Sequence, residues 1–162
     1  IVLGSCQEYG NVEGPVSANT KTVPYTSYAT AKDLLHKSLK VLKSKIHFDM
    51  LWLRLFYMYG DGQQSDCIIP LLDKALEKGD NVFNMSPGDQ LLDFLHINQV
   101  VKKIILKIKC KSGTYNICDG KPTVLKDLLE KRMKEKGKFI KLNLGYYGYR
   151  KNESKKLWGL SE

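Results

Sequence analysis

Residues 47–56 end in Leu51-Trp52-Leu53-Arg54-Leu55-Phe56, a nearly continuous apolar run too short for a helix that must show one face to water. Such a run reads as a strand covered on both sides, as in the middle of a parallel sheet. A parallel neighbour requires a crossover, and the residues before it supply one. Ile1-Val2-Leu3 is a short apolar strand ending in Gly4-Ser5. Residues 10–24 are rich in Gly, Pro, Asn, Ser and Thr, with Pro15 and Pro24 as breakers, and read as a loop. From residue 27 to 43, Leu34, Leu35, Leu39 and Leu42 recur at helical spacing with lysines between them, and Ser27 is the expected cap. Strand, loop, helix, strand is a βαβ unit, and the fold class is α/β.

The same reading continues down the chain. A Gly-rich turn at residues 59–63 is followed by a helix at 70–78, a strand at 92–97 and a helix at 99–107. A strand at 114–118 and a basic helix at 124–136 come next, before an irregular aromatic end with Tyr146, Tyr147, Tyr149 and Trp158. At 162 residues there is room for one core or a large piece of one. The chain begins inside a strand without an initiator Met, which leads us to expect the carboxyl part of a longer protein. No apolar stretch approaches the ~18 residues of a membrane span.

Charge is uneven. Residues 102–162 hold 17 Lys and Arg against 6 Asp and Glu, whereas residues 1–101 hold 9 against 11. A basic segment of this kind attracts nucleic acid, lipid or a phosphorylated small molecule. Its lysines, however, alternate with acids as on a solvated helix, and Arg54, Arg132 and Arg150 are the only arginines. We therefore expect neither a nucleic-acid nor a membrane partner. Cys6, Cys67, Cys110 and Cys118 form no Cys-x-x-Cys pair and stand at no zinc spacing to His36, His47 or His96. Reduced buried thiols, no metal and a cytoplasmic location are expected.

One constellation carries chemistry. Tyr28-Ala29-Thr30-Ala31-Lys32 puts a phenol and an ammonium four residues apart, on one helical face. A cation one turn from a phenol favours its ionised form, which suits a tyrosine that exchanges protons. Ser5 ends the preceding strand, where open α/β sheets bind ligands. By itself Tyr-x-x-x-Lys is a weak signal. The ordered set is stronger: Gly4-Ser5, Tyr9-Gly10, Pro24, Tyr28, Lys32, then Arg54-Leu55-Phe56-Tyr57-Met58-Tyr59-Gly60, Leu92-Asp93-Phe94-Leu95-His96-Ile97 and Gly113-Thr114-Tyr115-Asn116-Ile117.

In this set the chain resembles the extended short-chain dehydrogenases/reductases that modify nucleotide sugars, the NAD-dependent epimerase/dehydratase family, over residues 1 to about 130. The resemblance implies a partial Rossmann-type, doubly wound parallel sheet plus a small α/β substrate-binding lobe. Residues 1–60 would belong to the dinucleotide-binding domain and 61–162 to the interleaved lobe. It implies Ser5, Tyr28 and Lys32 as catalytic residues that also bind NAD or NADP, with Phe56 beside the cofactor. Cys6, Gln7, Tyr57, Pro70, Gln90 and Arg150 would contact a nucleotide-sugar substrate. It implies hydride transfer at a sugar carbon, usually C4, by a 4-ketoreductase or alternatively a 4-epimerase. A homodimer formed through the Tyr28 helix is also implied, although Leu34, Leu35, Leu39 and Leu42 suit packing on their own sheet equally well. A fold-retaining binding module without catalysis is the reading from another class.

Departures from the family narrow this. Cys6-Gln7 stands where dehydratases carry an acidic pair, which argues against 4,6-dehydration. Glu8 is expected to face solvent. Tyr57 replaces the usual Asn, and Leu92 replaces an Arg that grips the diphosphate, so a lysine of the basic tail or Arg150 would have to take over. No Gly-x-x-Gly-x-x-Gly turn occurs in these residues.

Overall fold

The computed structural model describes residues 1–149, 151 and 153–160. Its central sheet is three parallel strands in the order β1 (Val2–Ser5), β3 (Leu51–Leu55), β8 (Gly113–Ile117). The register sets Ser5 beside Leu55 and Leu55 beside Ile117, so all three strands end together at the edge where Ser5 stands. The apolar run of the middle strand begins at Leu51 rather than residue 47, because its ladder with β8 starts at Gly113.

Helix α1 (Ser27–Lys45) makes the crossover from β1 to β3. Its cap is Thr26, not Ser27: the Thr26 hydroxyl accepts the Ala29 amide at 3.1 Å. Such a cap stabilises a helix by about 1 kcal/mol. The buried face of α1 is Ala29, Asp33 and His36, spaced four and three residues apart. Leu34, Leu35 and Leu42 point outward, 57%, 44% and 44% exposed, so they do not pack on their own sheet. Helix α3 (Ile97–Lys107) covers the opposite face, where Val100 joins Leu51, Leu53, Leu95 and Ile117 in an apolar cluster. Among the described residues no helix is long and apolar enough to cross a membrane.

The remainder forms a lobe at the Ser5 end. β4 (Tyr57–Tyr59) pairs with β7 (Phe94–His96), and β5 (Val82–Asn84) pairs with β10 (Lys141–Asn143). Helices α2 (Ile68–Lys78) and α4 (Leu125–Lys136) share a core containing Leu72, Leu76, Leu128 and Leu129. Arg132 of α4 grips Asp73 of α2 with two bonds of 3.0 and 2.6 Å. A last sheet runs β2 (Gly14–Val16), β11 (Lys156–Gly159), β6 (Leu91–Leu92), β9 (Thr123–Val124). It places strands inside the expected loop and the expected irregular end. The single strand expected at 92–97 is two strands, parted at Asp93. That carboxylate is fully buried and accepts the amides of Asp119, Gly120 and Gly159 at 2.7, 2.9 and 3.2 Å, fastening three segments at once.

Candidate active site

The strand end at Ser5 is a built corner. Ser5 is the cap of a 3-10 turn, Cys6–Tyr9, and its Oγ accepts the Gln7 amide at 3.2 Å. Its own amide donates to Glu8 Oε1 at 2.8 Å, completing a capping box. Oγ is therefore used as an acceptor. No bond donated by the Ser5 hydroxyl is found among the described residues, which leaves its proton for a ligand oxygen.

Glu8 does not face solvent. It is 0% exposed and paired with Arg54 at 2.8 Å, Nε to Oε2. The carboxylate reaches under the strand because residue 4 is glycine. A Cβ there would lie 2.3 Å from Trp52 Nε1 and 2.5 Å from Glu8 Oε1. Gly10 turns the chain at φ 77°, and a Cβ on it would meet the Val23 carbonyl oxygen at 1.8 Å. This close crossing delivers the start of α1 to the strand ends.

Tyr28, 53% exposed, lies in the first turn of α1, and the Lys32 ammonium sits 5.8 Å from its ring centroid. The same ammonium donates to the Leu3 carbonyl at 2.9 Å, two residues before Ser5. One cation thus ties the phenol-bearing helix to the strand that carries the serine. This donor set, a serine hydroxyl, an open phenol and an ammonium at the carboxyl ends of parallel strands, suits the hydroxyls of a sugar or ribose.

Beside it opens a cleft of about 230 Å³. Gln7 and Tyr57, both expected at a substrate, line it together with Tyr25, Thr26, Lys151 and Glu153. Thr26 Oγ donates to Gln7 Oε1 at 3.5 Å, joining the helix start to the 3-10 turn. Burial, and then the charges of Cys6 and Glu153, push the Tyr57 phenol well above its ordinary value, so it remains a neutral hydroxyl.

Other expected site residues lie elsewhere. Cys6 is 3% exposed in the core, its thiol pushed up to about 12 by burial and then by the Asp93 charge. Phe56 is also 3% exposed, its ring 6.5 Å from that of Tyr9, and belongs to the same core. Gln90 is buried and its backbone oxygen holds the Leu125 amide; half-buried Pro70 stands in the first turn of α2; neither lines the cleft. Leu92, read as standing in place of the diphosphate-gripping arginine that the resemblance implies, packs against Leu157 in the core. Arg150 lies outside the described residues. The sequence reading missed Lys151, Glu153 and Ser154, which the approach to β11 carries to the cleft; Ser154 Oγ donates to the Gly10 carbonyl at 3.3 Å. No local pattern marks them, since Ser154 and Gly10 stand 144 residues apart.

Comparison with known proteins agrees with this architecture. The chain is 31% identical over 163 residues to the dTDP-6-deoxy-L-talose 4-dehydrogenase (NAD(+)) of Aggregatibacter actinomycetemcomitans, covering 98% of this chain and 59% of that protein. A UDP-N-acetylglucosamine 4-epimerase from Methanobrevibacter ruminantium M1 superimposes with a TM-score of 0.88 at 22% identity, over 98% of this chain and 53% of that one. The UDP-glucose 4-epimerase of Thermus thermophilus does so with a TM-score of 0.84 at 18% identity, over 98% and 54%. The two superpositions speak to the fold alone, and the chain spans little more than half the length of these relatives. Residues 1–118 match the model of the NAD dependent epimerase/dehydratase family, and the chain belongs to that family.

Proposed function

We propose that the protein containing this chain is an NAD(P)-dependent sugar-nucleotide 4-ketoreductase working through Ser5, Tyr28 and Lys32. The observation that carries the reading is the Lys32 ammonium, placed both over the Tyr28 ring and on the carbonyl of Leu3 beside the serine strand. When bound, the nicotinamide supplies the hydride for C4 of the sugar. The Ser5 hydroxyl donates to the oxygen on that carbon, and the Tyr28 phenol delivers the proton to it. Lys32 supports the phenolate left behind and offers its remaining protons to the ribose. Gln7, Tyr57 and Lys151 face the sugar and its phosphates, a neutral hydroxyl at Tyr57 serving as hydrogen-bond donor. Membership of the family supports a nicotinamide-dependent reaction, and the 31% identical 4-dehydrogenase supports chemistry at C4.

The division into a dinucleotide-binding part, 1–60, and an interleaved substrate lobe, 61–162, belongs to the same proposal. So do a cytoplasmic location and a homodimer, for which the outward leucines of α1 provide an apolar face. The 4-epimerase reading uses the same residues and differs in keeping its dinucleotide. Denaturing the protein at its natural length and identifying any released dinucleotide separates the two: NAD in stoichiometric amount supports the epimerase, whereas NADP or none supports the reductase. Tyr28→Phe tests the site itself. Loss of the proton donor is expected to lower kcat by about 10²–10⁴-fold with stability unchanged. Turnover within a few-fold of wild type, with an unshifted pH profile, would sink the assignment of Tyr28.

A further inference from the structure

We propose that Glu8, locked by Arg54, is a positioning residue for Ser5. The inference rests on the role of Ser5 in the proposed function. A carboxylate with no exposure costs several kcal/mol in desolvation unless charge and hydrogen bonds compensate it. Glu8 is compensated on both oxygens. Oε1 accepts the Ser5 amide at 2.8 Å and Trp52 Nε1 at 3.2 Å. Oε2 accepts Arg54 Nε at 2.8 Å and the same indole at 3.1 Å. The amide held is that of the serine itself, at the last residue of the strand.

Arg54 continues the network outward. Its Nη1 donates to the Tyr9 hydroxyl and to the Ala18 carbonyl, each at 3.1 Å. The Tyr9 hydroxyl lies 2.6 Å from Asn116 Oδ1, and Asn116 Nδ2 donates to the Val16 carbonyl at 3.0 Å. One continuous set of bonds therefore fixes the site end of β1 against β3, β8 and residues 16–18.

Stability alone is a poor reason for such a pair, because a well-packed apolar replacement of a buried ion pair is often neutral or stabilising. An apolar side chain cannot accept the Ser5 N–H. Directional holding of that amide is what the carboxylate adds, and with it the direction of the Ser5 hydroxyl. A displacement of about 1 Å at a reacting group is enough to cost as much as 10²-fold in rate.

The test is a double-mutant cycle on the protein at its natural length, assayed with NAD(P)H and a 4-keto nucleotide sugar. Glu8→Gln keeps the shape but sets an amide nitrogen against one of the donors. It is expected to lower kcat by about tenfold or more with KM for both substrates unchanged. In a Ser5→Ala background, Glu8→Gln is expected to cause no further loss of kcat, since it acts through the serine. Glu8→Asp, which keeps the charge for Arg54 but draws it back from the Ser5 amide, is expected to behave the same way and covers the case of an unfolded Gln variant. Unchanged kcat in the folded variants, or an equal loss with and without Ser5, overturns the positioning role while leaving the site assignment standing. Wild-type turnover in Ser5→Ala overturns the role of Ser5 and the inference with it.

Discussion

The two faces of the β1–β3–β8 sheet are buried to the same depth by opposite means. Under α3 the middle strand presents Leu51 and Leu53 to Leu95, Val100 and Ile117, an apolar contact without direction. Under α1 the alternate residues, Trp52 and Arg54, meet Glu8, Asp33 and His36, all 3% exposed or less. There the His36 ring stacks on Trp52 at 4.4 Å, and each carboxylate is answered by a cation, Glu8 by Arg54 and Asp33 by Lys37. The first face supplies net stability through area removed from water. The second supplies little net stability and a great deal of direction, and it is the one adjoining Ser5 and Tyr28. In an alternating strand both tasks fall to consecutive residues.

That contrast can be broken from the ionic side first. Arg54→Met leaves the Glu8 carboxylate buried without its cation and is expected to destabilise by about 3–5 kcal/mol in urea unfolding. Adding Glu8→Gln to it should recover at least half of the loss while kcat stays low. Recovery of both would show that the pair serves stability only. On the apolar face, Leu53→Ala is expected to cost about 3 kcal/mol, for the lost transfer and the cavity, with kcat of the folded fraction unchanged. A kcat loss matching that of Glu8→Gln would erase the distinction between the faces.

At neutral pH the smallest effect is that of His36, which shows only on acidification. Burial first, and then the charges of Lys40 and Arg54, lower the His36 pKa from 6.5 to about 4. Between those values the unfolded chain binds the proton and the folded one does not. His36 therefore subtracts stability as pH falls from 6.5 toward 4 and has no effect above. His36→Gln should flatten the slope of unfolding free energy over that window. An unaltered slope would place the titration elsewhere.

How much of this was legible depends on range. The crossover, the outline of most helices and the order Ser5, Tyr28, Lys32 follow from short-range spacing, and the structure brings those elements together. Glu8 was misread because nothing local announces that Gly4 and Trp52 leave room beneath the strand for a carboxylate. The α1 leucines marked the helix correctly, but its inward face proved to be Ala29, Asp33 and His36, since the sheet opposite is polar and aromatic there. Of the β2–β11–β6–β9 sheet only Leu92 fell within an expected strand, because two to four residues without an apolar run carry no readable period and their partners are distant in the chain.

That sheet also decides when the cleft comes into being. β11 lies between β2 and β6, so residues 156–159 close a ladder whose two flanking strands leave the ribosome long before them. Until they emerge, Gly14–Val16 and Leu91–Leu92 lack a common neighbour, Asp93 lacks the Gly159 amide, and the wall bearing Lys151 and Glu153 does not exist. The central sheet pairs Val2 with Trp52 and Leu51 with Gly113 and can be complete once residue 117 has emerged, whereas the wall of the cleft waits for Leu157 to reach Gly14. A nascent chain would hold Ser5 and the start of α1 in place before the wall of the cleft beside them is built.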